Sequence, residues 1–442
     1  MQALTGEEQT RFKESEEAAI TQVAQVLELD NLEIEPVKAF PSQYGQASDG
    51  HIHDLELVRL AGRHTWLKSE EVFCPSRYGL DYRNFYLFCD SLFTSGEGRT
   101  PVRRMQICEE PEPQEQDFHE SLLEGQEDLL KAVTDQQDPQ TLPAGDLRVL
   151  LRLYQSRKAR LVQKQGEELE EVYGHHGRGV LNEVIASSLG RLLGVPVPYN
   201  RLARRWEMVT MPYQNGGLCQ RRPLRMVASE DLSPRGGRNL SQVLLDQLKL
   251  QHNSELAGAF DYNWHRANPL RVEALGKEGL AGDKARFALA CLGRPQDLAR
   301  SDFLDRLLGG FEDRKLEEYL LPQGPQGPIY TLDFGEALFP ELGLNPDNAA
   351  FQEQKSLHLQ GVSVYLAAVA QLEPGHWYRQ ALAPAARQLG QLSQVFFNRW
   401  FAALPPDFCR LGWDDPRPNY RAESLIDLFC ALRDLILAQG EL

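Results

Sequence analysis

Apolar positions along this chain recur at helical spacing, then alternate, then return to helical spacing up to the last residues. Thr5-x-x-Glu8 has the form of a capping box and opens a helix of mixed charge to about Leu29, read as a peripheral element. The pattern becomes strand-like from about Val37, and residues 41–50 form a loop rich in turn formers. His53 to Leu60 alternates, Ala61-Gly62-Arg63 turns, and His64 to Lys68 continues, which predicts a hairpin. Residues 74–170 read as an insertion. Within it, Tyr82–Phe93 is aromatic and strand-like, residues 109–117 form an acidic, proline-broken loop, and a helical pattern follows to Tyr173. Gly179 to Pro198 predicts an amphipathic helix that stops at Gly194 before another strand. Asn200 to Met211 holds a strand, and Pro212–Gly217 reads as a hinge. Helices are expected over Asn239–Leu250, Glu255–Tyr262, Phe303–Leu321, Gln354–Gln371, Trp377–Leu404 and Ala422–Gln439, with a break at Gly324–Pro328.

The chain has 442 residues, enough for two or three lobes around a large core. Its 42% apolar and 25% charged residues are those of an ordinary globular protein. Lys plus Arg is 47 and Asp plus Glu is 63, a net charge of −16, so general binding to nucleic acid or to an anionic membrane is not expected. Arg201, Arg204, Arg205, Arg221, Arg222 and Arg225 form a local basic cluster, read as a solvated surface with ion pairs. Seven cysteines without a Cys-x-x-Cys pair argue against both a structural zinc site and a disulfide framework. The first residues lack the make-up of a secretory signal, and Val362–Ala370 is too short to span a bilayer. A cytoplasmic, reduced protein is expected.

Three widely separated residues carry the sharpest chemistry. Lys68 ends a strand behind a glycine-containing loop, where an ammonium can neutralise nucleotide phosphates; the plain alternative is an edge-strand lysine facing water. Glu183 is the acid on the inner turns of the 179–194 helix and can fix such a lysine, although a solvent-facing glutamate is the commoner fate and the apolar pattern leaves its direction open. Asp333 opens Asp-Phe-Gly after a short apolar strand, where a carboxylate can hold Mg²⁺ and glycine allows a tight turn; a chance tripeptide is the alternative. Lysine, then helix glutamate, then Asp-Phe-Gly is the chain order of a protein-kinase-like phosphotransferase. A catalytic loop should then lie between Glu183 and Asp333, best placed at Ala259–Leu270. Asp261, Asn263 and His265 are its candidate catalytic residues, and Asn268 is a candidate metal ligand. Asn263 stands where the base is needed, and an amide cannot accept a proton from a hydroxyl near neutral pH; Asp261 can substitute if the loop bends differently. Met211, before the hinge, is a candidate cofactor contact. His51, His53 and Asp54 share a strand without an evident further ligand, and His175-His176 lies in a glycine-rich loop.

These residues resemble HipA-like kinases, relatives of the phosphatidylinositol kinases within the protein-kinase-like fold. Gly179 to Pro198 resembles their helix-to-strand segment. Ser42 through Ser69 resembles the nucleotide-loop hairpin with its phosphate-binding lysine, and Tyr330 to Phe339 the metal-binding strand. Leu404 to Trp413 and the last helix with Arg433 resemble the C-terminal end. The long insertion after Lys68 and the altered catalytic loop depart from that family. The resemblance implies an α+β, bilobal protein-kinase-like fold with a small antiparallel-sheet N-lobe and a mostly helical C-lobe. It implies ATP and Mg²⁺ as cofactors, Lys68 and Glu183 at the phosphates, and Asn268 and Asp333 on the metal. The expected division is a helical extension at 1–35, an N-lobe at 36–212 with its insertion, and a C-lobe at 213–442. A phosphotransferase acting on a protein Ser/Thr hydroxyl, a pseudokinase scaffold that binds a partner, and a helical interaction protein remain the three functional expectations.

Overall fold

The structure is a computed structural model that describes residues 6–40, 55–69, 176–211, 218–233, 237–252, 255, 286–309, 316–335, 337–410 and 418–438. Among them the chain is α+β. A six-stranded sheet comprises β1 (Val26–Glu28), β2 (Ile34–Phe40), β3 (Leu55–Leu60), β4 (Arg63–Ser69), β5 (Asn200–Met211) and β6 (Leu218–Glu230). Its order is β1-β5-β6-β4-β3-β2, with β1 parallel to β5 and the other neighbours antiparallel. A small sheet, order β7-β8-β9, joins β7 (Arg238–Asn239), β8 (Tyr319–Leu321) and β9 (Tyr330–Thr331). The helices are α1 (Gly6–Ala24), α2 (His176–Leu192), α3 (Leu240–Leu248), α4 (Pro295–Leu308), α5 (Ala349–Ala370), α6 (Trp377–Gln391), α7 (Gln394–Ala402) and α8 (Ala422–Ala438).

The expected hairpin is β3–β4. Its two-residue turn, Ala61-Gly62, takes positive φ at both positions, +47° and +77°. That turn matches the right-handed twist of the flanking strands, and glycine adopts it without strain. Alternation sends Val58, Leu60 and Leu67 to one face, against Leu29, Ala203, Met226 and Ala228. The opposite face carries Lys68, and its register partners Val227 and Leu202 pack with α2.

Helix α2 is buried on nearly every side: Val180, Leu181, Val184, Ile185, Ala186 and Leu189 are at most 2% exposed. A helix that is apolar all round belongs inside a large core. It lies between the sheet and the helical mass that includes Phe303 and Leu304 of α4, Phe351 of α5 and Phe397 of α7. A second core, built on Leu240, Val243, Leu244, Leu298, Tyr319 and Ile329, joins α3 and α4 to the small sheet.

Several expectations are corrected. Helix α1 is not peripheral: Ala19 and Val23 are core residues, and buried Gln22 donates to Ser187 Oγ at 2.9 Å and to Asn200 O at 2.8 Å. Strands β5 and β6 pair along their whole length, from Asn200↔Ser229 to Met211↔Leu218, while Pro212–Gly217, expected as a hinge, lies outside the described residues. The six-stranded sheet continues to Glu230. The helix expected over Phe303–Leu321 ends at Leu308, with Gly309 left-handed at φ +75°, and Tyr319–Leu321 is a strand. Trp377–Leu404 is two helices, the second capped by Ser393 Oγ accepting from Phe396 N at 3.0 Å. The 74–170 insertion lies outside the described residues. No helix among those described is long and apolar enough to cross a membrane.

Candidate functional site

Strand β4 ends by directing Lys68 across the sheet face covered by α2. Its Nζ donates to Glu183 Oε1 at 3.0 Å and to Asp333 Oδ1 at 2.7 Å. The three residues come from a strand, a helix and the turn after β9. Burial falls off across the group: the Glu183 side chain is 6% exposed, Lys68 22% and Asp333 53%. The cluster thus has a buried anchor at Glu183 and a solvent-reachable carboxylate at Asp333.

Glu183 is held on several sides. Asn200 Nδ2 donates to its Oε2 at 3.3 Å, and the Phe334 backbone N–H also donates to its carboxylate. Burial nevertheless pushes the Glu183 carboxyl above the ordinary glutamate range, against the pull of the Lys68 ammonium. Burial alone would lower the Lys68 pKa, but the Asp333 and Glu183 carboxylates outweigh it and hold the pKa raised. The ammonium is therefore charged at every physiological pH.

The Asp333 turn is conformationally unusual. Asp333 has φ +55° and Leu338 φ +62°, both in the left-handed region that disfavours side chains bearing Cβ. Phe334, between them, is 2% exposed and belongs to the main core, so the turn is anchored by its aromatic residue while Asp333 stays accessible. A Cβ built on Gly335 would lie 3.4 Å from Asp333 Oδ1 and 3.8 Å from Lys68 Nζ. The glycine leaves room beside both charged groups. Gly179, in the first turn of α2, approaches the same glycine, its added Cβ falling 3.9 Å from the Gly335 Cα and carbonyl oxygen.

These residues fit a magnesium-nucleotide. Mg²⁺ commonly takes one or two carboxylates, waters and phosphate oxygens, and Asp333 offers a half-exposed carboxylate beside the Lys68 ammonium. Among the described residues no group of three or more His, Cys, Asp or Glu side chains is placed to hold a metal by itself.

Lys68, Glu183 and Asp333 are brought together. Met211 is not with them: it stands nine residues along β5 from Leu202, which shares the Lys68 level through Val227, a separation of about 30 Å at strand rise. Asp261, Asn263, His265 and Asn268 lie outside the described residues, as do His51, His53 and Asp54. Of the basic cluster, Arg225 is 2% exposed and donates to the carbonyls of Asp407 and Arg410, while Arg204 pairs with Glu28 and Asp407. These two arginines tie the sheet to the C-terminal helical region.

Sequence reading missed Asn182, the neighbour of Glu183. It is 2% exposed, and its amide reaches the Gly335 and Ala337 carbonyls and the Tyr420 hydroxyl. A polar residue within an apolar helix was the available signal. No family model, no curated protein and no solved structure matches this chain.

Proposed function

We propose that the chain binds a magnesium-nucleoside triphosphate, ATP, between Lys68 and Asp333 and transfers its terminal phosphoryl group, as HipA-like kinases do, to a protein Ser/Thr hydroxyl. One observation carries this: a single ammonium joins Glu183 and Asp333, residues 115 and 265 positions away in the chain. The β4 lysine, the α2 glutamate and the aspartate turn after β9 stand in the kinase-like chain order. The antiparallel succession β2-β3-β4, with α2 between β4 and β5, also supports a kinase-like small lobe.

Phosphoryl transfer asks little covalent chemistry of a protein; it requires neutralised charge and in-line positioning. Lys68 would contact the phosphates, with Glu183 fixing the direction of its Nζ. Asp333 would present its carboxylate to Mg²⁺, which would supply positive charge to offset that of the phosphates. The Lys68–Asp333 bond competes with both contacts, so ligand binding requires Asp333 to exchange the ammonium for the metal.

A ligand that binds the folded state alone raises Tm. Magnesium-ATP is expected to raise Tm for the wild type and not for Lys68→Ala, and labelled ATP is expected to label the protein or an added protein acceptor. Absence of any Tm shift at saturating magnesium-ATP overturns the nucleotide site. The pseudokinase alternative rests on Asn263 at the expected position of the base. Binding without turnover, unchanged by Asn263→Asp, selects it.

A further inference from the structure

The left-handed backbone at Asp333 persists only where surrounding bonds over-determine it. On the N-terminal side, Leu332 N donates to Glu318 O at 2.7 Å; on the C-terminal side, Leu338 N donates to Leu308 O at 2.6 Å. The carbonyls of Gly335 and Ala337 lie between these ties. Asn182 Nδ2 donates to Gly335 O at 2.8 Å and also to Ala337 O, while its Oδ1 accepts from the Tyr420 hydroxyl. A carboxamide has two N–H donors and one carbonyl acceptor, and this one engages both kinds at once. Aspartate could only accept, and an apolar side chain could do neither.

Asn182 also precedes Glu183 on α2, so one helical turn places one residue on the Asp333 turn and the next on Lys68. Tyr420 is 3% exposed, and its backbone N donates to Cys409 O at 3.2 Å, fixing it to the segment before α8. The amide is thereby oriented from the C-terminal region and not from the sheet.

We propose that Asn182, oriented by Tyr420, is the positioning residue that holds the Asp333 carboxylate where Mg²⁺ meets it, so that the C-terminal segment governs metal affinity at the nucleotide site. This rests on the magnesium-nucleotide reading of that site. Neither residue touches the phosphates; both act through the turn.

The test uses the full chain as wild type, Asn182→Ala and Tyr420→Phe, with two readouts. Hydrogen exchange over 332–338 reports the turn without ligand, and the Mg²⁺ dependence of the Tm shift at saturating ATP reports the metal. Asn182→Ala is expected to accelerate exchange there and to raise the half-saturating Mg²⁺ concentration by about 10- to 100-fold, the range for supports of metal ligands. Tyr420→Phe keeps the ring packing and is expected to move both in the same direction by less. It also carries the test if Asn182→Ala does not fold. Unchanged exchange in a folded variant overturns the clamp. Faster exchange with unchanged Mg²⁺ dependence overturns its role toward the metal. A wild type without any magnesium-ATP shift overturns the nucleotide reading and the metal role with it, while the exchange result still decides the clamp.

Discussion

Lys68 is held between a buried and an accessible carboxylate, and the two do different work. The Glu183 pair is largely withdrawn from water, so removing one partner leaves an uncompensated charge, which costs more than the pair contributes over an apolar substitute. Lys68→Met should therefore lower stability by about 3 kcal/mol in urea denaturation, and adding Glu183→Gln should restore most of the loss. A merely additive double variant would show that the ion pair does not govern stability. His358 gives a second prediction at this scale. Its Nε2–H donates to the Leu307 carbonyl at 3.0 Å, its ring lies 5.9 Å from Phe339, and burial holds its pKa below the ordinary histidine value. The folded state thus favours the neutral ring. The stability it contributes is present above about pH 6.5 and is lost as pH falls toward the lowered folded value. Over that window the loss from this one group should reach up to about 1.4 kcal/mol per pH unit, and the acid limb should be shallower in His358→Gln.

Among the elements, α2 carries the greatest constraint because it touches the sheet, α4 and the Asp333 turn together. Gly190 shows the tightness: an added Cβ would lie 2.9 Å from Leu304 Cδ2 and 3.0 Å from Val197 Cγ2. Alanine gains about 1 kcal/mol of helix propensity over glycine, whereas overpacking a filled core costs about 1–3 kcal/mol. Gly190→Ala is expected to lose about 1 kcal/mol on balance, read as a lower denaturation midpoint; a gain would mean that Leu304 and Val197 move aside freely. The same burial explains why the direction of Glu183 was not legible in the sequence. Periodicity identifies a face only when one side is polar, and here both sides are apolar. The β3–β4 hairpin was legible because its alternation and its Ala-Gly turn are local signals. Asn182 was not, since its partners lie at Gly335 and Tyr420, 153 and 238 positions away. The end of α4 was misread although Gly309-Gly310 offered a stop signal, because the apolar spacing of Leu316, Tyr319 and Leu321 imitates a continued helix.

Across the whole molecule, a buried arginine ties distant parts of an acidic chain together. Arg225 spans from β6 to the 407–410 segment, its Nη1 donating at 2.9 Å and 2.8 Å to two carbonyls. Arg225→Ala should cost about 3 kcal/mol, because it leaves those carbonyls without their donor and opens a void in the sheet face. Equal midpoints for this variant and the wild type would mean that solvent replaces the guanidinium at no loss. The α+β class, Lys68 and Asp333 were legible because each rests on a short local pattern, a strand end or an Asp-Phe-Gly turn, whereas bringing Glu183 to them takes contacts 115 and more positions apart in the chain.

The buried seam from Gln22 through Ser187 and Asn200 ends on Glu183. Helix α1 is therefore wired, a few polar links deep, to the lysine at the centre of the charge cluster. A change in that helix would act on the charge cluster from behind, by a route that no inspection of its accessible Asp333 side would disclose.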